Sequence, residues 1–184
     1  FCDRLNADFH KKNIHRKIKT INFGGGLSAL ADDRSSERLM KEYASTLLMI
    51  SQKAKFRYNF ISEFGQWIHY HNGVAFSRIE YTKKVANKNV VYSHLGADFF
   101  VRQVYHRPLD KNNITFLTEE GDLIKGNIVL TDVAGPLCFN GDYILRNKHL
   151  PYVEEGNFIA IHPVGANDFG LWSRHCSRTI PKFI

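Results

Sequence analysis

The predicted order of strands and helices changes near residue 75, and this change restricts the fold more than any other feature of the sequence. Before it, an alternating strand at 18–23 runs into three glycines, and a helix with a regular apolar face follows. A second strand at 56–63 and a short helix from Trp67 to about Val74 complete the pattern. Strand, loop, helix, strand, helix is the order of a parallel α/β unit.

After the change, the sequence contains strand-like runs and no convincing long helix. Gly, Pro, Asn and Asp turns separate the runs FSRIEYTKKV, DFFVRQVYH, NITFLT, DLIKGNIVLTDVAG and NFIAIHPVG. We therefore predict an α/β part over 1–77 and an all-β domain over 78–184. Two βα units can neither close a barrel nor cover a parallel sheet on both faces, so we expect further units upstream. The opening residues FCDRLNADFH carry neither an initiator Met nor a signal pattern, which agrees with a fragment.

The composition is typical of a folded, soluble chain. Of the 184 residues, 43% are hydrophobic and 13% aromatic, which argues against disorder. The net charge is +7, but only residues 11–19 are locally dense in Lys and Arg, and no nucleic-acid-binding motif accompanies them. No apolar run approaches the roughly 20 residues that span a bilayer. We therefore expect no nucleic-acid or membrane partner, and three widely spaced cysteines favour a reducing, cytoplasmic compartment.

The three glycines Gly24, Gly25 and Gly26 follow the first predicted strand directly. Without a Cβ, such a run brings backbone amides close to an anion, although a purely structural turn has the same sequence. Glu63 is predicted at the end of the next strand, in the tetrapeptide EFGQ. In a parallel α/β unit both groups lie at the same rim, where ligands bind. A helix N-terminal charge is the alternative interpretation of Glu63.

The sequence INFGGGL, followed after a helix by EFGQ, resembles the glycine-rich loop and the Glu-Pro-Gly-Arg motif of the ornithine, diaminopimelate and arginine decarboxylases of fold type III. The resemblance implies that the glycine loop and Gly65 help to hold pyridoxal 5'-phosphate. It also implies that Glu63 pairs with the pyridine nitrogen, where a carboxylate keeps the ring protonated and strengthens its electron sink. Gln66 stands where the family has an Arg, so a neutral amide replaces a charge-assisted phosphate contact.

The segment GPLCFNGD, residues 135–142, resembles the family motif Gly-Pro-x-Cys-x-x-x-Asp. The resemblance implies that Cys138 is a catalytic proton donor and that Asp142 contacts the substrate, in a loop that crosses the interface of a homodimer with shared active sites. A thiol suits this role because nearby charges tune its pKa. Read without the motif, a single Cys after Gly-Pro is more often a small buried hydrophobe.

Three further positions extend the comparison. Phe139 follows the motif Cys, where some family members have an acidic residue that meets the distal amine of a diamino acid. Asn167 stands where a Tyr normally touches the phosphate, so the resemblance implies that Asn167 lies in the cofactor-binding site. Arg102, which we place on a strand, is similar to the arginine that binds the substrate carboxylate; a surface cation is its alternative interpretation. No His, Cys or carboxylate spacing predicts a metal site.

The resemblance covers residues 18 to 181 and implies the last βα units of a (β/α)8, alanine-racemase-like barrel followed by a C-terminal β-sandwich or Greek-key barrel domain. It implies an amino-acid decarboxylase, a carboxy-lyase, as the parent protein. No lysine of this chain has the context of the family's Schiff-base lysine, so we expect the fragment alone to be inactive. The alternative is a catalytically inactive homologue that acts as a dimerisation or regulatory partner, a reading that Gln66, Phe139 and Asn167 motivate.

Overall fold

The structure, a computed structural model, describes residues 2–11, 17–28, 33–54, 57–106 and 109–184. It divides the chain into two compact units, Phe1–His69 and Tyr70–Ile184. The boundary that we expected at 77–78 lies within a strand of the second unit. Most of the basic stretch between residues 11 and 19 lies outside the described residues.

The first unit contains the predicted strand, helix, strand, helix order. Its elements are α1 (Cys2–Lys11), β1 (Thr20–Asn22), α2 (Asp33–Lys53), β2 (Asn59–Ile61) and α3 (Gly65–His69). β1 and β2 pair in parallel, with Ile21 opposite Phe60. The described residues of this unit contain this one parallel pair rather than a closed barrel.

The second unit is a six-stranded mixed sheet. Its strands are β3 (Ala75–Val85), β4 (Lys88–Ser93), β5 (Ile114–Leu117), β6 (Ile128–Ala134), β7 (Tyr143–Pro151) and β8 (Phe158–Ile161). The order across the sheet is β5-β8-β3-β4-β6-β7, and only the β4–β6 pair is parallel. Within the described residues of this unit the strands form one mixed sheet, which agrees with the expected all-β domain; its closure as a β-sandwich or a Greek-key barrel stays a prediction.

Buried and exposed residues alternate along the strands, and the buried ones form the core of this unit. In β3, Ala75, Ser77 and Ile79 are buried while the residues between them are exposed. The same core holds the fully buried side chains of Val91, Phe100, Phe116, Val133, Ile144, Ile159 and Ile161. An apolar core of this size stabilises the sheet, because each fully buried large apolar side chain contributes about 1.5–3 kcal/mol.

One predicted strand of the second unit is wrong. The run DFFVRQVYH forms a turn and the short helix α4 (Val101–Tyr105). Phe99 and Phe100 are both buried, at 7% and 0% exposure, and consecutive buried residues do not fit a strand with one solvated face. Arg102 therefore lies on a helix and not on a strand.

Candidate functional site

The glycine turn, residues 24–26, lies beside Glu63 at the carboxyl ends of the two parallel strands. The Phe23 amide donates to the Ile61 carbonyl at 2.9 Å, and the Glu63 amide donates to the Gly24 carbonyl at 2.8 Å. The parallel pairing thus continues past both strands into the segments that follow them. The structure therefore brings Gly24, Gly25, Gly26 and Glu63 together, as the strand order predicts.

Each glycine of the turn has a geometric reason to be glycine. Gly24 and Gly26 have φ angles of +68° and +94°, a region that side chains rarely adopt. A Cβ on Gly25 would lie 2.5 Å from the Glu63 carbonyl oxygen. The close approach of the turn to the second strand therefore depends on the missing side chain.

Asn22, which the sequence analysis missed, connects the turn to the carboxylate. Its side-chain oxygen accepts from the Gly24 amide at 2.7 Å, and its Nδ2 donates to Glu63 Oε1 at 2.5 Å. Asn just before a glycine turn favours such side-chain to backbone bonds, which is the signal that identifies it. The Glu63 carboxylate is thus held in place while its residue stays exposed.

The exposed edge of the turn has free donors. Among the described residues, no acceptor pairs with the backbone amides of Gly25 and Gly26. The Gly65 amide donates to the Glu63 carbonyl at 3.0 Å and begins α3, where Gln66 is half-buried. Two free amides beside a fixed carboxylate can bind an anion and a cationic or N–H group of one ligand.

The thiol loop, Gly135–Asp142, lies in the second unit and is organised around the Asp142 carboxylate. Asp142 is 3% exposed, and its two oxygens accept from the Ala97 amide at 2.6 Å and the Leu137 amide at 2.7 Å. Burial raises the pKa of this carboxyl, while the two amide hydrogen bonds oppose the rise. Gly96 and Gly135 pack against it so closely that a Cβ on Gly96 would lie 2.6 Å from the carboxylate.

This geometry gives Asp142 a structural role in holding the loop. Both carboxylate oxygens already accept backbone amides, and the side chain is enclosed by the turn at residues 96–98. The direct substrate contact that the motif implies for Asp142 stays a prediction.

Cys138 is exposed and lies next to a second thiol. Its Sγ is 3.6 Å from the Sγ of Cys176, which is also exposed, and both cysteines are free. The hydrogen bond with Cys176 raises the pKa of Cys138. Sequence reasoning missed Cys176 as its neighbour, because 38 residues separate the two.

Arg102 and Asn167, which the sequence identifies separately, are in contact. With the Asn167 amide oriented to match its neighbours, its oxygen accepts from both terminal guanidinium nitrogens of Arg102 at 3.2 Å. Asn167 also has a φ of +65°, which Asn tolerates better than most residues. The two predicted site residues therefore form one polar group in the second unit.

The residue after Arg102 and the residue after Asn167 form a buried pair that the sequence did not reveal. Gln103 Nε2 donates to Asp168 Oδ1 at 2.7 Å, and Asp168 is 1% exposed. Burial raises the pKa of Asp168 to about 6, against the lowering effects of the Gln103 hydrogen bond and the Arg102 charge. Within the described residues, Asp168 Oδ2 and Gln103 Oε1 have no hydrogen-bond partner.

An aromatic pair connects α4 to the thiol loop. The rings of Tyr105 and Phe139 are stacked, with centroids 6.0 Å apart and planes 23° apart. Both side chains remain largely exposed, at 51% and 41%. The residue after Cys138 is thus a surface aromatic ring supported by a second ring, and no acidic group stands there.

The described residues offer neither a metal-binding cluster nor a membrane-spanning helix. They contain no group of three or more His, Cys, Asp or Glu side chains that could hold a metal ion. None of their helices combines the length and apolarity that crossing a bilayer requires.

The sequence of this chain is similar to known decarboxylases. Residues 29–165 match the family model described as the C-terminal sheet domain of pyridoxal-dependent decarboxylases. The chain is 31% identical over 169 residues to a diaminopimelate decarboxylase of Helicobacter pylori, covering 91% of this chain and 39% of that protein. The chain thus spans about two fifths of the length of this relative.

Solved structures show the same similarity. A diaminopimelate decarboxylase from Helicobacter pylori, complexed with L-lysine, superposes with a TM-score of 0.69 at 29% identity, over 91% of this chain and 40% of that one. The arginine decarboxylase of Paramecium bursaria Chlorella virus has a TM-score of 0.68 at 15% identity, over 86% of this chain and 42% of that one. The second match concerns the fold alone.

Proposed function

Because the chain belongs to the family of pyridoxal-dependent decarboxylases, we propose that it is the C-terminal part of an enzyme that removes CO2 from an amino acid. The proposal concerns the full-length protein, since the chain spans only 39% of the diaminopimelate decarboxylase that it matches. In that protein, β1 and β2 would be the last strands of a (β/α)8 barrel that carries the cofactor.

The glycine turn beside Glu63 is the observation that carries the proposal. Unpaired amides at Gly25 and Gly26 fit a phosphate group, and the carboxylate held by Asn22 fits a ring N–H. Pyridoxal 5'-phosphate has both groups, a ring nitrogen and a phosphate on a side arm two ring positions away. When bound, this cofactor supplies an electron sink for the carbanion that remains after CO2 leaves.

Glu63 would hold the ring nitrogen in its protonated form. Its carboxylate is fixed by the Asn22 amide at 2.5 Å, so no rearrangement is needed when the ring binds. Charge-assisted hydrogen bonds of this kind are about twice as strong as neutral ones. Gln66 would contribute only neutral contacts near the phosphate, and binding would depend more on the glycine amides.

Cys138 would act as the proton donor to the reacting carbon. The neighbouring Cys176 raises the pKa of Cys138, which keeps the thiol protonated and able to donate at neutral pH. Asp142 positions the loop through the Ala97 and Leu137 amides. This loop would meet a cofactor site across the interface of a homodimer.

Arg102 would bind the substrate carboxylate, and the Asn167 side-chain oxygen would hold its guanidinium group in place. The Arg102 guanidinium group has five N–H donors, and the Asn167 oxygen accepts one hydrogen bond from each of its two terminal nitrogens. The remaining donors of Arg102 can bind a carboxylate. The relatives named above make diaminopimelate the first substrate to test. Phe139 offers no negative charge to the distal amine of a diamino acid, so ornithine and arginine should be tested beside diaminopimelate.

The test is cofactor absorbance and CO2 release by the full-length protein with added pyridoxal 5'-phosphate. We expect visible absorbance of the bound cofactor, and CO2 from at least one substrate of the panel. Glu63→Gln should lower the rate about 10- to 100-fold, because a hydrogen bond to a charged group contributes about 1.5–3 kcal/mol. Glu37→Gln, on the exposed surface of α2, is the control and should leave the rate unchanged. A protein that neither binds the cofactor nor releases CO2 contradicts the proposal.

A further inference from the structure

The two free thiols Cys138 and Cys176 form a close pair, although proton donation to the reacting carbon uses the proton of one thiol alone. Their sulfur atoms are 3.6 Å apart, and both side chains are exposed. A disulfide bond needs the sulfurs at about 2.05 Å, so the pair is one small side-chain movement from bonding distance. Exposure also gives a small oxidant access to both sulfurs.

The segment that carries Cys176 is anchored to residues 94–98, which include the turn at residues 96–98 that encloses Asp142. Arg178 Nε donates to Asp98 Oδ2 at 3.0 Å, and Arg178 donates a second hydrogen bond to the His94 carbonyl at 3.0 Å. On the other side of the cysteine, the Ser173 amide donates to the Asp98 carbonyl at 2.9 Å. Residues on both sides of Cys176 are thus held to the same turn.

The thiol loop is anchored to that same turn. Asp142 accepts from the Ala97 amide at 2.6 Å, and Ala97 directly precedes Asp98. Asp98 is 3% exposed and Asp142 is equally buried, so both anchors lie in the interior of the second unit. Adjacent residues of one buried turn therefore hold the two thiol segments side by side.

We propose that Cys138 and Cys176 are an oxidisable site that forms a reversible intrachain disulfide. The disulfide also switches the enzyme off, because it removes the S–H proton from the reacting position; this part of the proposal rests on the proposed function. The geometry favours ring closure over two separate oxidations, since the anchored segments keep the second thiol next to the first.

The reaction requires an oxidant, and a low-molecular-weight disulfide such as oxidised glutathione is the class that we propose. One protein thiolate attacks a glutathione sulfur, the S–S bond of the oxidant breaks and one glutathione thiolate leaves. The second protein thiolate attacks the protein sulfur of this mixed disulfide and displaces the other glutathione. Two electrons pass to the oxidant, and the two protons from the protein thiols end on the two glutathione thiols.

The test treats the full-length protein with oxidised glutathione and maps disulfides by peptide mass spectrometry without reduction. We expect a cross-linked pair of peptides that contains Cys138 and Cys176 and that disappears on addition of a dithiol reductant. Cys2→Ser is the matched control and should keep the cross-link. Cys176→Ser should show glutathione attached to Cys138 in its place. Separate glutathione adducts on both cysteines of the unaltered protein, without the cross-link, overturn the proposal.

Activity is the second readout. Formation of the disulfide should lower CO2 release about 10²-fold or more, since positioned proton donors contribute about 10²–10⁴-fold, and the reductant should restore it. Cys2→Ser should match the unaltered protein in activity when both are reduced, and oxidation should lower the activity of both to the same extent. Full cross-linking with unchanged activity would disprove the switch. A reduced protein without activity would instead count against the proposed function, while the mass measurement still tests the disulfide.

Discussion

Asp168 is the buried carboxyl group with the largest expected effect of pH on folding stability. Its side chain is 1% exposed, and one oxygen accepts from Gln103 at 2.7 Å. Asp168→Asn keeps the shape of the side chain and an oxygen for the same hydrogen bond, but it cannot ionise. The substitution therefore isolates the cost of the buried charge.

The magnitude follows from the pKa of Asp168, which burial raises from 3.8 to about 6. Below pH 3.8 the carboxyl is protonated in both the folded and the unfolded chain. As the pH rises, the unfolded chain loses its proton first, so stability falls until the folded carboxyl ionises near pH 6. The total loss is about 3 kcal/mol, at about 1.4 kcal/mol for each pKa unit.

Urea unfolding of the unaltered chain and of Asp168→Asn, at a series of pH values, measures this loss. The free energy of unfolding of the variant, relative to the unaltered chain, should rise by about 3 kcal/mol between about pH 3.5 and about pH 7.5. Asp110→Asn is the control, because the amide hydrogen bond from Asn112 lowers the pKa of Asp110 and reverses the direction. A difference between Asp168→Asn and the unaltered chain that does not change with pH refutes the reasoning.

Two further substitutions test packing and charge. Gly25→Ala places a Cβ 2.5 Å from a backbone carbonyl oxygen, so it should lower the free energy of unfolding by about 1–3 kcal/mol. It should also weaken cofactor binding in an absorbance titration. The control Gly170→Ala meets open space and should change the free energy of unfolding little. Equal effects of the two would contradict the close approach at the turn. Arg178→Gln leaves the buried carboxylate of Asp98 without its charged partner, so it should lower the free energy of unfolding in urea by about 3–5 kcal/mol. The control Arg38→Gln breaks an exposed ion pair and should lower it by about 0.5 kcal/mol or less. A loss for Arg178→Gln as small as the control value would show that the buried ion pair is not formed.

The sequence predicted the part of the site that depends on local order. The glycine turn and Glu63 lie together because each follows a strand of a parallel pair, and the alternation of apolar residues and the glycine run are visible without a structure. The family resemblance, which the match to residues 29–165 confirms, rests on these motifs and on the segment GPLCFNGD, which lies within the matched residues.

The sequence did not predict contacts between distant segments. Cys138 and Cys176 meet because Asp142 and Arg178 both reach one buried turn, and nothing local encodes that arrangement. Val and Tyr beside Arg102 favour a strand, but the burial of consecutive phenylalanines decides the local structure, and Arg102 lies on a helix.

Two strands were also missed. β4 carries Lys and Asn among its apolar residues, and β7 carries Arg, Asn, Lys and His, so their patterns are weak in isolation. β7 pairs with β6 alone at the edge of the sheet, where polar residues are tolerated. Tertiary pairing therefore determined these strands more than local propensity did.

A crystal structure of the full-length protein with pyridoxal 5'-phosphate tests the central claim most directly, through the distance between a Glu63 carboxylate oxygen and the ring nitrogen. We predict about 2.7–2.9 Å, the length of a charge-assisted hydrogen bond, with the phosphate on the amides of Gly25 and Gly26. A cofactor bound elsewhere, with Glu63 still paired only to Asn22, would contradict the account.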